Sequence, residues 1–183
     1  MRFNFSEVSS NVNEVERSFK LHCCSKLRDF VFKYEDLLGK EIWDVLDEEI
    51  QQDPGAFLSA INSYASRKGN LPIYLLIDEY DNFTNTILST YGTEYYQKAT
   101  HGEGFVRGFF NVIKAATTGT GSALQRMFIT GVSPVTMDDV TSGFNIGTNI
   151  TTDPWFNDLV GFSEAELREM LTYYKEQGVL MQT

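Results

Sequence analysis

The sequence predicts an α/β fold in which parallel strands are flanked by helices. Three observations predict it. The run Leu71 to Ile77 within "LPIYLLIDEYDN" is continuously apolar and too short for a core helix, so it fits a strand buried on both faces. Met127 to Val132 ("MFITGV") is a second run of the same character. Segments of helical periodicity lie between the strands where hairpins would need tight turns, which implies parallel pairing through crossover connections.

The elements follow in chain order. Arg2 to Ser6 ("RFNFS") alternates polar and apolar residues and predicts a short strand, with helix N-cap candidates in Ser9 to Asn11. From Asn11, the residues Val12, Val15, Phe19, Cys23, Leu27, Phe30 and Val31 recur at spacings of three and four, and Glu14 stands where it would complete a capping box with Asn11. A long amphipathic helix is expected there. Leu37 to Ile50 and Pro54 to Arg67 carry further helical periodicity, the latter opened by an Asp53 cap with Pro54 in the first turn and stopped by Lys68-Gly69-Asn70. Pro72 is tolerated because it lies near the start of its strand.

Asn82 to Tyr91 predicts one helix, and Phe105, Phe109, Ile113 and Ala116 mark the buried stripe of another that ends in the loop Thr117 to Ser122. Ser133 to Asp153 is polar with weak periodicity and is expected to be a mobile stretch. Ser163 and Glu166 form a capping box ahead of Leu167, Met170, Leu171 and Tyr174, which predicts a last amphipathic helix.

Composition narrows the function classes. A chain of 183 residues with 42% hydrophobic content holds roughly one domain with a real core. Its 25 acidic against 15 basic residues give a net charge of −10, which repels phosphodiester backbones and argues against a broad nucleic-acid interface. Cys23 and Cys24 are neighbours in a helical pattern and read as reduced core residues of a cytoplasmic protein. No membrane span or signal peptide is expected. His22 and His101 stand apart from other metal ligands and read as a helix-surface and a loop histidine.

The carboxylates Asp78, Glu79 and Asp81 terminate the apolar run. In a parallel sheet ligands bind beyond the carboxyl ends of the strands, where Asp78 and Glu79 are expected. One such acid can hold a hydrated Mg²⁺ while its neighbour orients a water for attack on a phosphate. The ordinary alternative is an acidic turn in which Asp81 and Asn82 favour the next helix N-terminus. Thr130, ending "FITG", is a small polar side chain that could lie beside the carboxylates and sense a terminal phosphate.

Taken together, "IYLLIDEYDN", "RMFITGVSPVTMDDVTSGFNI" and "GFSEAELREML" resemble the predicted AAA-ATPase-like family, a bacterial group of P-loop NTPases often fused to a nuclease-like domain. The resemblance covers essentially the whole chain. It implies a three-layer P-loop NTPase core over residues 1–160 and the start of a C-terminal helical segment over 161–183. It also implies ATP and Mg²⁺ as cofactors, with Asp78 and Glu79 as the Walker B acids and Thr130 ending the sensor strand. Asp78 would hold Mg²⁺ and Glu79 would polarise the attacking water.

The phosphate-binding loop of that family, a Gly-rich turn ending in Lys-Ser or Lys-Thr, does not occur in the sequence. "GTGS" (Gly119 to Ser122) lacks a Lys and follows a helix, and in "LLGKE" Lys40 is followed by Glu41. The expectation is therefore a truncated core whose first strand lies upstream of Met1. Such a core would be inactive alone, with an open apolar edge on Met127 to Val132.

The alternative is a nucleotide-independent module that docks a protein partner by strand addition on a degenerate ATPase fold. A metal-dependent nuclease centre at Asp78, Glu79 and Asp81 ranks last, because the charge is negative and no Lys lies near the acids. Arg107 and Arg126 read as surface ion-pair residues before arginine fingers. Tyr95, Tyr96, Phe105, Phe109 and Phe110 read as core, not as a stacking platform. The acids between Glu41 and Asp53 read as a solvated helix face.

Overall fold

The computed structural model describes residues 1–69, 71–132, 147–157 and 161–177. Most of the polar stretch Ser133 to Asp153 lies outside them. Strands β1 (Arg2–Asn4), β2 (Ile73–Asp78) and β3 (Leu124–Ile129) form a parallel sheet in that order, with β2 central. Arg2 lies opposite Leu76 and Asn4 opposite Asp78, while Leu76 and Ile77 lie opposite Phe128 and Ile129. Between β1 and β2 run α1 (Val15–Lys33), α2 (Glu35–Leu38), α3 (Ile42–Val45) and α4 (Pro54–Arg67). Between β2 and β3 run α5 (Asn82–Tyr91), α6 (Thr93–Thr100) and α7 (Phe105–Thr118).

The helices cover one face of the sheet. Ile73, Leu75 and Ile77 are buried beneath them, with Phe3 of β1 on the same side. The expectation that β2 is buried on both faces is corrected, because Tyr74 and Leu76 are 56% and 44% exposed and Phe128 is 45% exposed. Successive strand residues point to opposite faces, so an apolar run alone does not say that both faces are covered. Among the described residues the architecture is two layers, and a third layer is not seen over this open face.

A phenylalanine cluster forms the centre of the core. Phe3 meets Phe109 at 5.6 Å between ring centroids, Phe5 meets Phe19 at 5.2 Å, and Phe19 meets Phe105 and Phe109 at 5.2 and 5.5 Å. Phe83 packs on Phe5 and Phe19. These rings come from β1, the 3-10 turn Phe5–Glu7, α1, α5 and α7, so one cluster ties both crossovers to the first strand. Each aromatic pair adds about 0.5–1.5 kcal/mol beyond area burial. Of the aromatics read as core, Tyr96, Phe109 and Phe110 are buried and Phe105 is partly buried, whereas Tyr95 is exposed.

The start of β3 is anchored from α4. The side-chain carbonyl of Asn62 accepts from the Leu124 N–H at 2.8 Å and from the Ser122 hydroxyl at 3.0 Å. This anchoring sets β3 three residues earlier than the apolar run suggests, with Gln125 and Arg126 inside the strand.

Several helix ends follow the sequence reading. Asp53 caps α4 by accepting from Ala56 N–H at 2.7 Å. The other expectations change locally. α1 begins at Val15, since Asn11 accepts instead from Asn13 N–H at 3.0 Å and no box with Glu14 forms. The helix expected over Leu37 to Ile50 is broken at Gly39, whose φ of 83° ends α2. His22 is not a surface residue, for its side chain is only 7% exposed, packed on Phe5 beside Glu7.

The chain divides into two compact units, Met1–Ile146 and Gly147–Thr183. The second contains a 3-10 turn, Pro154–Phe156, and α8 (Glu164–Glu176). α8 opens with the expected capping box: Ser163 Oγ accepts from Glu166 N–H at 3.3 Å, and Glu166 accepts from Ser163 N–H at 2.8 Å. Among the described residues no helix is long and apolar enough to cross a membrane.

Candidate functional site at the ends of β2 and β3

The central strand delivers Asp78 to its carboxyl end on the open face of the sheet. Thr130 follows β3 directly, and its backbone clamps the two strand ends. Its N–H donates to the Ile77 carbonyl at 2.8 Å, and its carbonyl accepts from Tyr80 N–H at 3.1 Å. The Thr130 hydroxyl then donates to Asp78 Oδ1 at 2.6 Å. The juxtaposition read from two separate sequence motifs is present.

The second Asp78 oxygen is also engaged. Arg2 Nη2 donates to Asp78 Oδ2 at 3.0 Å from the neighbouring strand β1. The Thr130 hydroxyl first, and then Arg2, hold the Asp78 carboxyl below the usual carboxylate range, with help from the Glu79 N–H. Asp78 is therefore a fixed, ionised and partly exposed carboxylate. Arg2 escapes sequence inspection because its partner lies 76 residues away.

Glu79 has a φ of 55°, a left-handed conformation uncommon for a residue with a Cβ. Such geometry costs on the order of 1 kcal/mol and turns the chain sharply between β2 and α5. The Glu79 side chain is half-buried and makes no hydrogen bond among the described residues. It stands next to the engaged Asp78 as an uncommitted carboxylate.

Asp81 has a different task. Its carboxylate is buried and accepts from Val132 N–H at 3.1 and 3.2 Å and from Asn85 Nδ2 at 2.8 Å, and its side chain does not cap α5. It staples the chain beyond β3 to the start of α5. Asp81 stands at the N-cap of α5, as the acidic-turn reading placed it, but that turn is corrected from surface-exposed to buried and its side chain makes no capping bond. The three-carboxylate nuclease centre is corrected too, because Asp81 is committed to the protein's own amides. Gly131 makes the staple fit: a Cβ there would overlap the Tyr80 ring and crowd Asp81. The Gly in "FITG" was the signal for this close approach.

The remaining residues singled out in the sequence lie elsewhere or at the margin. Arg126 is exposed in β3, on the open face opposite Tyr74, whereas Arg107 is half-buried in α7. His101 follows α6 and shares a hydrogen bond with the Thr100 hydroxyl. Cys23 and Cys24 are free and buried, with burial pushing the Cys24 thiol up to about 11.

Among the described residues no group of three or more His, Cys, Asp and Glu side chains comes together to hold a metal. The donor set at Asp78 suits a different style of binding. One ionised carboxylate beside a hydroxyl fits a Mg²⁺ that keeps water and phosphate oxygens as its other ligands.

A parallel sheet with an acid and a hydroxyl joined across its carboxyl end defines an α/β protein with its polar centre beyond the strands. Residues 1–141 match the family model described as predicted AAA-ATPase, and the chain belongs to that family. No curated protein and no solved structure matched the chain.

Proposed function

We propose that this chain forms the Walker B and sensor wall of an ATP-hydrolysing machine of the P-loop NTPase superfamily. The 2.6 Å bond from Thr130 to Asp78 carries the reading, since it couples the ends of two parallel strands at the position where a nucleotide phosphate would be sensed. In this reading Asp78 holds Mg²⁺, which would neutralise phosphate charge. Glu79 orients the attacking water, and Thr130 reports on the terminal phosphate. Glu79 suits its role because no neighbour among the described residues claims its carboxylate.

The sequence has no loop to cradle the phosphates, so the chain by itself is expected not to turn over ATP. A fused nuclease-like domain or a protein partner would be what the nucleotide cycle moves. The buried, unpaired Cys23 and Cys24 suit a reducing, cytoplasmic setting.

Calorimetry with Mg-ATP tests the proposal on this chain and on a version extended by natural upstream sequence bearing a Gly-rich loop, each with Glu79→Gln in parallel. Binding by the extended chain alone, with Glu79→Gln binding but not hydrolysing, is the expected result. Failure of the extended chain to bind overturns it. That outcome would favour the second reading, a nucleotide-independent docking module, for which the exposed Tyr74, Leu76 and Phe128 on the sheet speak.

A further inference from the structure

We propose that Arg2 is a built-in competitor for the metal-facing acid, a positioning residue that holds Asp78 in the metal-free protein and releases it to a divalent cation. This rests on the reading of Asp78 as the Mg²⁺-holding acid. Asn4 is the register partner of Asp78, but its side chain is turned to its own 3-10 turn, accepting from Ser6 N–H at 3.0 Å. Arg2, two residues earlier on the same face, reaches along the sheet to Asp78 instead. Thr130 occupies the other oxygen, so an arriving cation meets a carboxylate whose two oxygens already have donors.

The two contacts differ in how easily they yield. The Thr130 hydroxyl is fixed by the backbone clamp at Ile77 and Tyr80 and carries no charge. The Arg2 side chain is 65% exposed and forms one bond to Asp78, the kind of surface ion pair that solvent and salt readily replace. A guanidinium and a divalent cation cannot share one carboxylate without repulsion. Across about 5 Å of screened water that repulsion corresponds to roughly a fivefold change in affinity. Once released, Arg2 stays at the rim of the site with a guanidinium suited to phosphate oxygens.

Nuclear magnetic resonance on the whole chain tests this without any turnover. Mg²⁺ is titrated while the Asp78 carboxyl carbon and the Arg2 Nε–Hε pair are followed together, and Mn²⁺ broadening is compared between wild type, Arg2→Gln and Arg2→Lys. Asp78 and Arg2 are expected to shift with one midpoint, and Arg2→Gln to move the Asp78-centred midpoint about fivefold lower while Arg2→Lys stays near wild type. A shift of Asp78 with Arg2 unmoved overturns the competition and leaves the metal-facing acid standing. Absence of any Asp78-centred effect in all three proteins overturns both. The wild-type titration decides the matter even if a variant misfolds.

Discussion

Gly131→Ala should unfasten the end of β3. A Cβ at this position would overlap the Tyr80 ring and press on the Asp81 carboxylate, so the chain must lift away from α5. Overpacking of this kind costs about 1–3 kcal/mol. Lifting also loosens the charge-assisted bond from Val132 N–H to Asp81, now 3.1–3.2 Å, and such a bond is worth about 1.5–3 kcal/mol. A loss of roughly 2–5 kcal/mol is expected, a large part of a typical domain's 5–15 kcal/mol. For a chain of this size that lowers Tm by about 5–15 °C. Urea unfolding followed by circular dichroism measures it. Gly108→Ala is the control with the opposite sign, because a Cβ in that turn of α7 meets nothing within 4 Å and should gain about 0.5–1 kcal/mol. If Gly131→Ala unfolds within about 0.5 kcal/mol of wild type, the close packing of Gly131 on Tyr80 and Asp81 is refuted.

Further outcomes follow from the same geometry. Thr130→Val should raise the Asp78 pKa, read by carboxyl carbon titration. Because that pKa is depressed in the folded protein, the stability it brings is complete above the unfolded value and fades as pH falls through the folded one, and the variant should shrink this acid dependence. Asp81→Ala strands the Val132 amide and is expected to cost about 1–3 kcal/mol by the same urea assay, with Asp81→Asn losing less. His22 is buried with Nε2 unpartnered among the described residues, and burial lowers its pKa. The fold therefore favours neutral His22, so stability should fall as pH drops below about 6.5, and His22→Phe should remove that component. Glu79→Gly should relieve the left-handed strain and raise Tm slightly, while abolishing, in the chain extended by a Gly-rich loop, the hydrolysis that Glu79 is proposed to support.

What the sequence disclosed depended on how local each cause was. β2 was readable because seven apolar residues ended in acids, and α4 because Asp53 and Pro54 announced its first turn. The side-by-side placement of Asp78 and Thr130 was readable, since each ends an apolar run and the parallel order sets them together. The start of β3 was hidden, because Asn62 on a distant helix fixes it and Gln125 and Arg126 break the apolar pattern. Tyr74 and Leu76 look like core residues by type, and only the placement of the helices shows that their face is open. α6 went unnoticed, as it is only eight residues long and mostly polar. Arg2 had no local signal at all, its role being created by the pairing of β1 with β2.

The phenylalanine cluster has a consequence for how the chain is made. Phe3 and Phe5 belong to a core whose members Phe83 and Phe109 arrive much later, and β1 has no strand to pair with until β2 appears some 70 residues on. At about 5–20 residues per second of synthesis, those two rings wait roughly 4–20 seconds for Phe83 and Phe109. During that interval the segment "RFNF" stays an unsatisfied apolar segment of the growing chain. Ribosome-side chaperones that shield such segments would therefore engage the chain around β1, and the yield of folded chain should depend on translation speed between α1 and α7.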